Sequence, residues 1–492
     1  NFIIFSALSV NIGSIKRKAA FGVVFLTVKR VILQIIFTGS NIFLARLLFP
    51  ADFGTFAIIG SIGIFFNVFS DLGLTPSLIQ KQEEIKKIDI QTVFTTQLFL
   101  GLLLVAAIFA TADIVAKFFN LGTSGISLLK LYSLIFLIAP LRQIPGAILE
   151  RYLNFQKIVT LDIVGTLISS GSTVFLAFLG FGVSSLVIGL VIGHLTSALL
   201  LGFFAKWPIG IAFDKKVFWN LTKFGIPFQA HVMLGLFYGP LILLYLGKSV
   251  GQANLGFYQF AASLSVFPLV FSEILSRVIF PLGSRTQRDE AFLKQAIEKS
   301  LALVSIFTMP AIFLIGAVAG QIIHYVYTDR WLPALPALYL GLAQMGIIAY
   351  TGIFGQLLLS RGKAGVMRNM GLVWAILTWI LGPILIAKFN FIGMNLTGLL
   401  VSASGIWLFF RLKREIDFNF GKNFIVYFLC AVFASVASVI TVNILPQSFA
   451  SLMFALILGT VFYLGLLVVF AKKSLAQNLE LVFALILREK LS

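Results

Sequence analysis

Five cationic side chains fall inside apolar runs long enough to cross a membrane: Lys29 and Arg30 in the first run, Lys130 and Arg142 in the fourth, and Arg277 in the eighth. A cation facing lipid at mid-bilayer costs about 2.5 to 3.5 kcal/mol on insertion scales, so these groups must face water, a partner or a ligand. A guanidinium presents a planar fork of donors and an ammonium a point charge, so the chemistry they could do is anion binding in a dry crevice. Glu273 stands four residues before Arg277 and is expected to pair with it along one helix face. Lys130 lies near the outer end of its run and is expected to snorkel. Arg142 sits between Pro140 and Pro145, and a proline-loosened helix commonly borders a cavity. Lys29, Arg30 and Arg142 are then left as a basic set with no carboxylate assigned to it.

The elements that must carry these residues follow from composition. The chain has 492 residues, 59% hydrophobic and 11% charged, with a mean hydropathy of +1.02. A single soluble core cannot hide that much apolar surface, which makes this an all-α polytopic membrane protein. About fourteen apolar runs of helix length are expected. They lie at roughly 19–45, 54–70, 91–112, 126–149, 158–179, 183–204, 227–246, 256–281, 300–326, 334–359, 366–387, 391–411, 423–444 and 450–471. The net charge of +19 sits in short connectors between apolar runs, which suits a cytoplasmic membrane face and argues against nucleic acid. With the amino terminus cytoplasmic, about 27 Lys and Arg fall on that side and about 5 on the other. Among the basic connectors are Arg361 with Lys363 and Arg411 with Lys413 and Arg414.

The opening NFIIFSALSVNI precedes its positive charges, the reverse of a secretory signal, and reads as an interfacial lead-in. The tail after Lys473 has apolar residues at helical spacing and is expected to lie along the interface. His194, His231 and His324 occupy three different runs without ligand spacing, so no metal site is expected. His194 reads as core packing or a cavity wall. Asp71, Glu273 and His231 are the candidates for ion coupling, and Asp162, near the start of the fifth run, reads as interfacial. No catalytic set and no GxxxxGK[ST] motif is present, so ATP is not expected to drive the chain directly. The single cysteine, Cys430, supports neither a disulfide framework nor a thiol metal site.

The chain also carries a repeat. LARLLFPADFGTFA (Leu44 to Ala57) resembles LGKSVGQANLGFYQFA (Leu246 to Ala261), and FSDLGLTPSLIQKQEE (Phe69 to Glu84) resembles FSEILSRVIFPLGSRTQRDE (Phe271 to Glu290). Six crossings return the chain to its starting side, so the two halves would be parallel repeats. The expected division is a lead-in at 1–18, an amino-terminal six-helix lobe at 19–206, a linker at 207–226, a carboxy-terminal six-helix lobe at 227–414, two further crossings at 415–471 and a tail at 472–492.

LARLLFPADFGTFA, DLGLTPSLIQ, ILERYLNFQKI, GFGVSSLVIG, LGFYQFAASLSVFP and IFPLGSRTQ, in that order, resemble the polysaccharide-transporter family, the Wzx-type flippases of lipid-linked oligosaccharides. That family belongs to the multidrug, oligosaccharidyl-lipid and polysaccharide (MOP) exporter superfamily. The resemblance implies two six-helix lobes around a central cavity and alternating access that moves an undecaprenyl-pyrophosphate-linked glycan across the cytoplasmic membrane of a bacterium or archaeon. The VKR of the first crossing departs from it by carrying two charges where at most one is expected. On this reading Arg30, Lys29, Arg142, Arg277 and Lys130 are candidates for the pyrophosphate, and Gln34, Asn41, Asn67, Gln143 and Gln344 could meet sugar hydroxyls or bond neighbouring helices. The implied partners are the anionic lipid-linked glycan, membrane lipids and a polysaccharide synthesis or polymerase complex. No cofactor is implied beyond coupling to protons, sodium or the membrane potential. Two other classes stay open: a drug or cation extruder of the same superfamily, which calls for free internal carboxylates, and a polyprenyl-linked glycan enzyme, which calls for a large acidic outer loop.

Overall fold

The computed structural model describes residues 12–273 and 290–472, with side chains left undescribed at 12–27, 230–231, 290–292 and 422–423. Among the described residues 13 helices are long and apolar enough to cross a membrane. The eighth expected crossing enters the described residues only in part, and Arg277 and the 473–492 tail lie outside them. By their contacts the helices group into two units: Asn1–Leu48 with Thr55–Leu244, and Phe49–Gly54 with Tyr245–Ser492.

The amino-terminal unit contains α1 (Ile12–Leu47), most of α2 (Pro50–Asp71), the short α3 (Leu74–Gln80), α4 (Lys87–Phe119), α5 (Gly122–Ser133), α6 (Ile135–Arg151), α7 (Phe155–Phe178), α8 (Val183–Ala205) and α9 (Lys215–Tyr238). Helices in lipid gain little from burying apolar surface against each other, so close packing of small residues holds them together. The α7–α8 pair shows this. A Cβ on Gly189 would stand 1.9 Å from Thr173 Oγ1, and one on Gly193 would stand 2.4 Å from Ser169 Cβ. Ser169 Oγ then donates to the Gly189 carbonyl at 2.9 Å. Helix α4 starts where the buried Asp89 carboxylate accepts from Lys86 N at 2.8 Å and from Lys81 Nζ at 2.7 Å. The fourth crossing is not loosened at its prolines. Helix α6 runs through both Pro140 and Pro145, and the interruption falls upstream, at Leu134 between α5 and α6. Pro140 lacks the N–H that would bond the Phe136 carbonyl. Gly101 of α4 packs against that carbonyl so closely that a Cβ would lie 2.6 Å from it.

Helix α10 (Pro240–Val250) leads into the carboxy-terminal unit: α11 (Gln252–Ser265), α12 (Glu290–Ala317), α13 (Leu335–Ser360), α14 (Ala364–Phe389), α15 (Phe391–Ser404), α16 (Ile406–Lys413), α17 (Gly421–Ile444) and α18 (Phe449–Phe470). Its largest core runs through α12, α13, α16, α17 and α18, so the last two crossings are integral to this unit. Buried hydroxyls tie the helices: Ser305 Oγ and Tyr350 Oη stand at 2.8 Å, and Tyr463 Oη donates to the Ile306 carbonyl at 3.1 Å.

The first pair of repeats meets itself within this unit. A Cβ on Gly54 would stand 1.8 Å from the Gln252 carbonyl oxygen, and a Cβ on Gly256 would stand 1.8 Å from that of Pro50. Gly54 and Pro50 occupy in one repeat the places that Gly256 and Gln252 occupy in the other. The contact is therefore reciprocal, and each crossing depends on a glycine with no room for a side chain.

Candidate functional site

Helices α1, α6 and α7 bring three charged side chains of the amino-terminal unit together. Lys29 of α1 forms an ion pair with Oδ2 of Asp162 on α7, and Arg142 Nη2 of α6 stands 3.6 Å from Oδ1 of the same carboxylate. Asp162 is thus drawn into a contact between helices that its place in the sequence did not reveal. Its side chain is 16% exposed and bridges two cations that come from different helices. Helix α7 begins at Phe155, capped by Asn154, whose side chain accepts from Lys157 N, and this sets Asp162 two turns inside. The small-residue seam with α8 holds α7 in place behind it. Lys29 and Arg142 are accordingly not an uncompensated pair, which corrects the expectation from sequence. Two cations share one carboxylate, and the cluster keeps an excess positive charge. Arg30, half-buried, follows Lys29 and points about 100° further round α1.

Arg142 also lines a cavity of about 160 Å³ with Gly63 and Asn67 of α2, Tyr132 of α5, Phe136, Ala139 and Gln143 of α6, and His194 of α8. Ile64 and Ile135 complete a lining that is part polar and part apolar, and a space of this size holds water or part of a ligand. Three of the residues singled out from sequence, Asn67, Arg142 and Gln143, converge here. Tyr132 was not foreseen, and its signal is indirect: the Tyr132 ring occupies the space a Cβ on Gly63 would need, 2.1 Å away. His194, read from sequence as packing or a cavity wall, lies on the wall.

The remaining candidates are dispersed. Lys130 Nζ lies over the Phe109 ring at 5.6 Å from its centroid. Gln34 donates to Thr38 Oγ1 at 3.3 Å, a bond within α1, where Asn41 also lies. In the carboxy-terminal unit Gln344 packs over Gly398, and Glu273 is half-buried. The expected partner of Glu273, Arg277, and the side chain of His231 lie outside the described residues. Asp71 Oδ1 accepts from Thr75 N at 3.0 Å, from Thr75 Oγ1 at 2.7 Å and from Gln97 Nε2. Its oxygen is thereby engaged by the first turn of α3 and by α4. No group of three or more metal-ligating side chains occurs among the described residues.

Sequence reading also passed over Arg151. Its guanidinium donates to the carbonyls of Leu78 at 3.0 Å, Ile79 at 3.2 Å, Lys81, and Glu83 at 2.6 Å, gathering the open end of α3 and the loop that follows. It stands within ILERYLNFQKI, a stretch that carried the family resemblance but to which no role was attached.

The carboxy-terminal unit holds a different space. It measures about 870 Å³ and is walled by α12, α13, α16 and α17, with Phe313, Phe354, Phe409, Phe420, Phe424 and Phe428 prominent among its residues.

With this geometry in hand, the chain can be set beside known proteins. Its fold is similar to that of the lipid II flippase MurJ in an inward closed conformation, with a TM-score of 0.75 and 16% identity over 92% of this chain and 99% of that one. It is also similar to an inward-facing multidrug resistance MATE transporter of the MOP superfamily, with a TM-score of 0.59 and 12% identity over 79% of this chain and 98% of that one. The fold defines a polytopic helical membrane protein built like these two transporters. The chain matches the polysaccharide biosynthesis protein family over residues 43–336 and belongs to it. Among its relatives are the lipopolysaccharide biosynthesis protein WzxC of Escherichia coli, 25% identical over 66% of this chain and 66% of that one, and the teichuronic acid biosynthesis protein TuaB of Bacillus subtilis, 22% identical over 61% and 62%. The succinoglycan biosynthesis transport protein ExoT of Rhizobium meliloti is 24% identical over 68% of each chain. The matches to WzxC and TuaB span slightly less than two thirds of those proteins.

Proposed function

We propose that this protein is a flippase that moves a polyprenyl-pyrophosphate-linked oligosaccharide across the cytoplasmic membrane by alternating access, with both termini cytoplasmic. Its family membership supports this reading, as do relatives named for polysaccharide biosynthesis and transport. The observation that carries it is the sharing of Asp162 by Lys29 and Arg142 beside a partly polar cavity. A monovalent carboxylate is a weaker partner for this set than a pyrophosphate, which brings two or more negative charges and several acceptor oxygens. In this account Asp162 holds Lys29 and Arg142 while no substrate is bound and gives way to the arriving headgroup. Arg30 adds to the positive potential, and Asn67 and Gln143 offer donors and acceptors to the first sugar.

The reading as a cation extruder is disfavoured by the same geometry, because Asp162 is already engaged by two cations. The protein acts as a carrier and not as an enzyme, in keeping with relatives named for transport. Surface-glycan export in cells that depend on this chain tests the reading. Arg142→Ala and Lys29→Ala are expected to abolish export with the protein still present in the membrane, and Arg142→Lys to retain part of it. Full export in both alanine variants would contradict it.

A further inference from the structure

A second basic cluster, remote in sequence from the first, lies at one end of the carboxy-terminal unit. Arg411 Nη1 stands 2.7 Å from Oε1 of Glu415, Lys363 Nζ pairs with the same oxygen, and Arg361 Nε stands 3.6 Å from Oε2. The carboxylate is only 13% exposed. Three cations thus share one anion. Arg361 caps the carboxyl end of α13 and Arg411 sits in the last turn of α16, where each helix dipole offsets about half a charge; Lys363, at the amino end of α14, meets the opposite pole. Between one and two positive charges remain, by this reckoning in half-charges. Arg361 Nη1 is buried and has no hydrogen-bond acceptor among the described residues, and Glu415 Oε2, 3.6 Å from Arg361 Nε, is likewise buried without a donor. The cluster therefore keeps unspent hydrogen-bonding capacity as well as excess positive charge.

The cluster adjoins the apolar space. Phe354 of its wall lies two turns before Arg361 on α13, about 10 Å along the axis. Phe409 and Phe410 immediately precede Arg411 on α16. Ile406, Phe410, Val436 and Ile440 line the space and are themselves exposed, so it opens outward from the helices. An amphiphile with an anionic head and long apolar chains matches both parts at once.

We infer that Arg361, Lys363 and Arg411 bind the phosphate of an anionic glycerophospholipid whose acyl chains lie in this apolar space. The cations belong to connectors that the loop-charge asymmetry assigns to the cytoplasmic face, where the leaflet is rich in anionic lipid and basic pockets between helices take up headgroups. They stand at the ends of their helices, whereas Lys29 and Arg142 lie within theirs. A resident lipid phosphate there would compete with Glu415 for Arg361, Lys363 and Arg411.

Native mass spectrometry of the full-length protein, titrated with phosphatidylglycerol or with phosphatidylcholine of the same acyl chains, tests this. Phosphatidylglycerol is expected to bind about tenfold more tightly, the scale of a charge-assisted contact. Arg361→Gln combined with Lys363→Gln and Arg411→Gln should erase the preference. Glu415→Gln, which removes the competing carboxylate, should strengthen it. Lys363→Gln alone, a milder change should the triple variant fold poorly, should weaken it about threefold. Equal binding of the two lipids, or a preference untouched by these substitutions, would overturn the inference. So would displacement of phosphatidylglycerol from these residues by an undecaprenyl pyrophosphate that binds there more tightly, since the site would then belong to the transported lipid.

Discussion

The two units handle charge and space in opposite ways. The amino-terminal unit places Lys29, Arg142 and Asp162 inside its spans and keeps a small, partly polar cavity beside them. The carboxy-terminal unit gathers its ion-pair cluster around Glu415 at helix ends, and its space is larger, walled by phenylalanine and open outward. Charges held in a low-dielectric interior are expensive unless they have work to do, whereas an apolar cavity is inexpensive in lipid. The proposed function thus falls to the amino-terminal unit, which offers an anionic, hydroxyl-rich head its partners, and the inferred resident lipid to the other.

The comparison can be broken most sharply at Arg142. Arg142→Ala should lower export by at least about tenfold, the loss of a charge-assisted contact and more, measured as surface glycan per unit of protein in the membrane. In the other unit, Tyr350→Phe should leave export unchanged even though it alters the apolar wall. Next come the reciprocal glycines. Gly54→Ala and Gly256→Ala each drive a Cβ into backbone and should destabilise by about 2 to 3 kcal/mol, by similar amounts because their contacts are equivalent. Thermal unfolding in detergent reads this, and a large inequality would refute the equivalence. Arg151→Met should cost about 2 kcal/mol through its lost carbonyl bonds. The smallest effect is the stability loss in Tyr350→Phe, about 1 kcal/mol for its bond to Ser305.

Much of this was legible in the sequence. Hydropathy alone located the crossings, because a span must be apolar for its whole length. The repeat was visible because both copies need the same small residue at the same close contact, Gly54 and Gly256. Asn67, Arg142 and Gln143 could be singled out as polar groups in apolar runs, and they do share one cavity. The pairing of Asp162 was missed for a physical reason. Its partner Lys29 is 133 residues away, so only packing of α1 against α7 reveals the pair. The prolines of α6 misled in a similar way: a transmembrane helix tolerates proline where a neighbour covers the freed carbonyl, as Gly101 does for Phe136. Arg151 escaped notice because its acceptors are backbone carbonyls, which leave no trace in side-chain spacing.

The central claim is that Asp162 occupies cations meant for an anionic headgroup. Binding of undecaprenyl pyrophosphate to the purified protein and to Asp162→Asn and Arg142→Gln, each checked for retained folding, tests it most directly. The account predicts tighter binding in Asp162→Asn, where the internal competitor is gone, and weaker binding in Arg142→Gln. Unchanged affinity in both would contradict it.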